Sequence, residues 1–122
     1  MRLRYVWVVA GMLGVLLLAG CSLYSSPTPA DLDSFAKCLT ESGMEVFGAA
    51  WCGHCNSVKQ RFGNSFRHIM YQECDPRFGG NEQRCMEKGV QAYPAFKFGD
   101  GSILYGEQSF AALAQRTGCT IS

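Results

Sequence analysis

Two cysteines three positions apart, Cys52-Gly53-His54-Cys55, sit where a short strand gives way to a helix, and this junction constrains the fold more than any other stretch of the chain. Met44-Glu45-Val46-Phe47 reads as the strand, Gly48-Ala49-Ala50 as a bend of small residues, and Asn56 to Phe62 as the helix. A Cys-x-x-Cys at such a junction puts the first sulfur at the helix N-terminus. There the macrodipole and unpaired backbone N–H groups favour thiolate over thiol. The second sulfur lies one turn on, within reach to close a disulfide with the first. This is the minimum apparatus for exchanging disulfides with another protein.

Seven cysteines in 122 residues is a high density that fits an oxidising compartment. Ahead of them all, Arg2 and Arg4 precede an uncharged, mostly apolar stretch from Tyr5 to Ala19, which runs into Leu18-Ala19-Gly20-Cys21. Small residues before a cysteine in that place resemble the lipobox of bacterial lipoprotein signal peptides. The resemblance implies cleavage before Cys21 and acylation of its thiol. The chain then divides into a signal peptide (1–20), a tether (21–30) and a folded domain (31–122). The other reading is an uncleaved membrane helix, since residues 5–24 carry no charge. Either one predicts a tethered, exported domain in the bacterial cell envelope, facing the periplasm or the exterior. Without residues 1–20 there remain 9 basic and 10 acidic residues, with no basic stripe, so neither nucleic acid nor anionic lipid is an expected partner.

With Cys21 lipidated, six cysteines remain and allow fifteen pairings. Fixing Cys52 with Cys55 leaves three. The favoured one joins Cys74 to Cys85, closing a loop that holds Pro76, Gly79, Gly80 and Asn81; Cys38 with Cys119 would then pin the first helix to the C-terminus. A domain of this size buries a modest core, so each staple matters at about 2–4 kcal/mol.

Thr28-Pro29-Ala30-Asp31 reads as an N-cap, a proline at the first helical position and an acid in the first turn; Leu32, Phe35, Ala36 and Leu39 follow at helical spacing up to Gly43. Ile69 to Cys74 is predicted as a second strand, followed by a turn-rich insertion and a short helix from Glu82 to Lys88 ended by Gly89. Pro94–Phe98 and Ser102–Tyr105 flank Gly99-Asp100-Gly101 as a hairpin, with Phe96 and Phe98 on one face. Ser109 caps a last helix that turns Phe110, Leu113 and Ala114 inward and stops at Gly118.

This order resembles the thioredoxin fold, in a minimal version: a three-layer α/β/α arrangement around a central mixed sheet, lacking a clear first strand. Tyr93-Pro94 lies where thioredoxin-like proteins carry a cis-proline facing the active sulfurs. The resemblance implies that Trp51, Tyr93 and Pro94 bind a substrate peptide docked as an added strand. The landmarks Phe35 to Gly43, Trp51 to Cys55, Lys59, Phe62-Gly63, Glu73-Cys74-Asp75, Tyr93-Pro94 and Gly118-Cys119 are similar to the thioredoxin-like domain fused to bacterial homologues of vitamin K epoxide reductase. In that family the domain exchanges disulfides with a membrane-embedded, quinone-linked oxidase and passes oxidising equivalents to exported proteins. Here the dipeptide between the cysteines is Gly-His, as in protein disulfide isomerases.

The resemblance implies a thiol-disulfide oxidoreductase, an oxidant or isomerase of protein disulfides, with no cofactor beyond its redox-active disulfide. Cys52 is the expected nucleophile, the more exposed of the pair, and Cys55 the resolving thiol. His54 is expected to stabilise the Cys52 thiolate, which puts the pair at the middle or oxidising end of a scale running from about −270 to about −120 mV. Expected partners are exported cysteine-containing proteins, and either a membrane disulfide oxidase of the vitamin K epoxide reductase type or a disulfide reductase. A reductase of exported thiols, such as those of apocytochromes, would use the same site in the opposite direction. A disulfide-stapled binding module that never cycles is the non-enzymatic alternative. Zinc is disfavoured because Cys74 and Cys85 lack a second close spacing, and haem attachment because Asn56 rather than histidine follows Cys55. His68 reads as a surface residue. Where thioredoxins commonly place a buried acid, six residues before the first cysteine, this chain has Val46. Glu45 points to the other face and Lys59 reads as a solvated helix lysine, so the proton acceptor for Cys55 is unassigned.

Overall fold

The computed structural model describes residues 26–121; the apolar leader 1–20, Cys21 and the tether up to Ser25 lie outside the described residues. Helix α1 runs Pro29–Glu41, so it takes in the last two residues of the stretch read as a tether. Its start is fixed reciprocally: the Thr28 hydroxyl accepts the Asp31 N–H at 3.3 Å and the Asp31 carboxylate accepts the Thr28 N–H at 2.8 Å. Strand β1 (Glu45–Gly48) leads to helix α2 (Gly53–Phe62), and a 3₁₀ segment (Gly63–His68) leads to strand β2 (Tyr71–Glu73). A 3₁₀ turn (Pro76–Phe78) and helix α3 (Glu82–Glu87) precede strands β3 (Ala95–Lys97) and β4 (Ile103–Tyr105), and helix α4 (Phe110–Thr117) closes the domain. No helix among the described residues is long and apolar enough to cross a membrane.

The sheet order is β2-β1-β3-β4, with β2 parallel to β1 and the other pairs antiparallel. β2 is shorter than the predicted Ile69–Cys74, because the Ile69 N–H is used by the 3₁₀ segment (to Phe66 O, 2.9 Å) rather than by a neighbouring strand. Register places Val46 beside Phe96, and Phe47 beside Ala95. Alternation then sends the first pair to one face of the sheet and the second to the other.

On the first face, Val46 and Phe96 join Phe35, Leu39, Val58, Phe62, Phe98 and Leu113 in the larger core. Phe110 is the hinge of that packing, with ring centroids 4.8 Å from Phe62 and 5.7 Å from Phe35. Burying each such ring stabilises the fold by roughly 1.5–3 kcal/mol. Cys38–Cys119 joins α1 to the segment after α4 on this side. On the second face, Phe47 and Ala95 meet Val90 and the Cys74–Cys85 disulfide under α3. The turn between Cys74 and α3 folds back so tightly that a Cβ at Gly80 would stand 2.5 Å from the Glu73 carbonyl oxygen, which excludes any side chain there.

Candidate active site

Cys52 is the N-cap of α2 and its Sγ accepts the Cys55 N–H at 3.3 Å. The loop before it is held by backbone and side-chain bonds: Cys52 N–H to Ala49 O (3.0 Å), Asn56 Nδ2 to Ala50 O (3.2 Å). Both thiols are free in this structure and both are buried, with Cys52 at 6% and Cys55 at 2% exposure. The expected contrast between an exposed and a hidden sulfur is therefore slight. Packing of Ala49 and Tyr93 against the pair covers Cys52 as well. Burial, and then the neighbouring Cys52 sulfur, push the Cys55 thiol up to about 12; the Lys59 charge opposes them.

Tyr93 reaches the dithiol from the loop before β3. The Tyr93–Pro94 peptide bond is cis and opens β3, and the Tyr93 ring packs on the sulfur pair and lies 6.4 Å from the Trp51 ring. Trp51 is 59% exposed, and its indole N–H donates to Asp75 Oδ2 at 2.7 Å. Arg77 grips the same carboxylate, and their hydrogen bond holds the Asp75 carboxyl down at about 2. Trp51, Tyr93, Asp75, Arg77 and Glu82 line a cavity of about 340 Å³, open to solvent and polar at its rim. Trp51, Cys52, Cys55, Tyr93 and Pro94 are thus brought into one neighbourhood.

His54 stands in the first turn of α2. Its side chain is 78% exposed and its Nδ1 lies 2.8 Å from Glu107 Oε1, on the loop before α4. The imidazole is engaged with a carboxylate, and the hydrogen bond found at the Cys52 sulfur comes from the backbone. His68, read as a surface residue, is half-buried with Nε2 3.6 Å from the Asp33 carboxylate. Cys74–Cys85 and Cys38–Cys119 are disulfides, and among the described residues no group of three or more His, Cys, Asp or Glu side chains converges on a metal-sized site.

The residues considered for proton transfer are disposed as follows. Val46 is buried in the larger core, and Glu45 is ion-paired with Lys88 Nζ at 2.7 Å, away from the sulfurs' face of β1. Lys59 is not a solvated lysine: its ammonium lies 4.2 Å from the centre of the Tyr71 ring. Sequence reasoning passed over three residues here. Gly48 at the end of β1 has Cys55 Sγ and Tyr71 Oη crowding the point where a Cβ would stand, at 2.9 and 3.0 Å. Tyr71 donates to Glu73 Oε2 at 3.1 Å. The other oxygen, Glu73 Oε1, accepts the N–H groups of Ala50 (3.3 Å) and Asp75 (3.0 Å). The available signals were the bare glycine ahead of the dithiol and a Tyr-x-Glu alternation that puts both side chains on one face of β2.

No family model matches the chain. It is 31% identical over 93 residues to a protein named thiol-disulfide oxidoreductase LTO1 from Arabidopsis thaliana, across 72% of this chain and 24% of that one. It is 24% identical over 106 residues to a protein disulfide-isomerase from Aspergillus niger, across 80% of this chain and 20% of that one. The chain therefore spans about a quarter or less of the length of these relatives. A four-stranded mixed sheet with helices on both faces, a dithiol capping α2, and likeness to segments of proteins named thiol-disulfide oxidoreductase and protein disulfide-isomerase converge: the chain carries a thioredoxin-like domain.

Proposed function

We propose that this protein is an exported, membrane-tethered thiol-disulfide oxidoreductase that exchanges disulfides with cysteine-containing proteins through Cys52 and Cys55, acting as an oxidant. One observation carries the reading. Of the six cysteines among the described residues, four are locked in two disulfides, while Cys52 and Cys55 stand as thiols at a helix N-terminus beneath Tyr93. A pair so placed has backbone donors for a negative sulfur and an adjacent aromatic floor for a peptide.

In the oxidising direction, a substrate thiolate attacks Cys52 Sγ of the Cys52–Cys55 disulfide. Cys55 leaves as a thiolate and takes up a proton. A second substrate thiolate then attacks the mixed disulfide at the substrate sulfur; the substrate gains a disulfide, Cys52 leaves as a thiolate, and the domain is left as the dithiol. A membrane disulfide oxidase of the vitamin K epoxide reductase type, linked to quinone, would take the two electrons back out. The apolar leader and Cys21 support the tether and a site in the cell envelope, through lipid on Cys21.

The test is a trap. Cys55→Ser is expected to accumulate mixed disulfides between Cys52 and exported proteins, and Cys52→Ser/Cys55→Ser none. Absence of adducts in the single variant would sink the enzymatic reading. Alkylation of free thiols in intact cells then reads direction: a mostly oxidised Cys52–Cys55 pair supports the oxidant, and a mostly reduced one overturns it in favour of a reductase.

A further inference from the structure

Exchange at a Cys-x-x-Cys pair needs a place for the resolving thiol's proton, and the residue that would hold a buried acid on β1 is Val46. We propose that Tyr71 and Glu73, on β2, form the proton path of Cys55: the Tyr71 hydroxyl is the relay and the Glu73 carboxylate the acceptor. The inference rests on the functional reading above and assigns a further part of that same site.

Geometry carries it. Both Cys55 Sγ and Tyr71 Oη lie within 3.0 Å of the point a Cβ would occupy at Gly48, so they are less than about 6 Å apart, a span that a direct contact or one bridging water covers. The parallel register that sets Gly48 beside Glu73 and Val46 beside Tyr71 is what aims the phenol at α2. From Tyr71 the path continues to Glu73 Oε2 at 3.1 Å. Glu73 is fixed for the task, because its other oxygen is held by two backbone N–H groups, one of them in the loop that carries Trp51. The charged and titratable groups around the phenol are Cys52, Cys55 and Lys59 from α2 and Glu73 on its own strand; Asp75 and Tyr93 lie beyond Glu73. Burial and the adjacent Glu73 push the Tyr71 hydroxyl upward, so it stays protonated and can only hand one proton on as it receives another.

The step balances. When Cys52 is joined to a substrate sulfur, the Cys55 S–H proton passes to Tyr71 Oη as the Tyr71 proton passes to Glu73 Oε2. The Cys55 thiolate attacks Cys52 Sγ, the Cys52–Cys55 bond forms, the Cys52–substrate bond breaks, and the substrate sulfur leaves as a thiolate. Cys52 and Cys55 are oxidised and the substrate disulfide is reduced. In the oxidising direction the same path runs backward and delivers the proton to the departing Cys55.

The test uses the reduced protein with excess glutathione disulfide, quenched in acid and resolved by mass. Wild type is expected to pass through the Cys52–glutathione adduct without accumulating it. Tyr71→Phe and Glu73→Gln should accumulate the adduct, with its resolution slowed about 10²-fold at neutral pH and first attack by Cys52 unchanged. Glu73→Gln keeps an oxygen for the two backbone N–H groups and an amide for Tyr71, so it removes the acceptor with little change of shape. Resolution should be level between about pH 6 and 8 in wild type and climb with pH in both variants, where solvent hydroxide must take the proton. Variants that resolve at the wild-type rate with a level profile would overturn the relay alone. A rate loss with an unchanged pH profile would also overturn it, marking a structural role. A wild type that never closes Cys52–Cys55 would overturn the functional reading, and the relay with it.

Discussion

The two faces of the sheet are held by different means. Around Val46 and Phe96 the core is made of rings and branched chains from three helices, and Cys38–Cys119 ties elements that Phe35 and Phe110 already bring together. Around Phe47 and Ala95 there is one short helix, and the Cys74–Cys85 disulfide is itself a main component of the core, with both cysteines wholly buried. One staple spans 81 residues and closes a loop that contains the dithiol; the other spans 11, and Cys74 borders the cavity beside Trp51 and Tyr93. The contrast separates two roles of a disulfide. Loop length governs how far it restricts the unfolded chain, and location governs what it does for the site.

Removing the long staple should have the largest effect on stability. On loop-closure entropy, Cys38→Ala/Cys119→Ala is expected to cost about 4.5 kcal/mol in urea unfolding while leaving turnover of the surviving folded protein close to wild type. Cys74→Ala/Cys85→Ala should cost less, about 3 kcal/mol, yet lower turnover more, because the Cys74 N–H also bonds the Gly48 carbonyl at 2.9 Å under the dithiol. If both losses fell in the same order for stability and for turnover, the division between the faces would be wrong.

A third effect sharpens the comparison by isolating the sulfurs that are not staples. Burial raises the folded-state value of Cys55 from the ordinary 9.0 to about 12. With the folded value above the unfolded one, that stability is complete below about pH 9 and is lost progressively as pH climbs toward 12. Oxidised protein, with Cys55 in a disulfide, lacks this loss. Unfolding of the two redox forms between pH 8 and 11 should therefore diverge as pH rises, with the reduced form weakening faster; parallel curves would refute the assignment.

What the sequence discloses is what local spacing encodes. Thr28-Pro29-x-Asp31 announces α1 because cap and proline act within four residues, and Gly99-Asp100-Gly101 announces the β3–β4 turn for the same reason. The strand-bend-helix around Cys52 and Cys55 is likewise local. The Tyr71–Glu73 pair shows in the sequence only as an alternation, because its meaning lies in a parallel register with β1, some 25 residues away, which no short pattern states. The Glu107 partner of His54 was hidden for a kindred reason: it stands 53 positions further on and only tertiary folding brings it to the imidazole. Lys59 looked solvated because helical spacing shows which way a residue leans but not that an aromatic ring from β2 waits beneath it.

The tethered indole of Trp51 has a practical consequence. It adjoins Cys52, and its bond to a carboxylate that Arg77 keeps ionised down to about pH 2 fixes its surroundings across the acid range. Light emitted by that ring should therefore brighten or dim with the oxidation state of the neighbouring sulfurs, giving the domain a built-in optical gauge that needs no added dye.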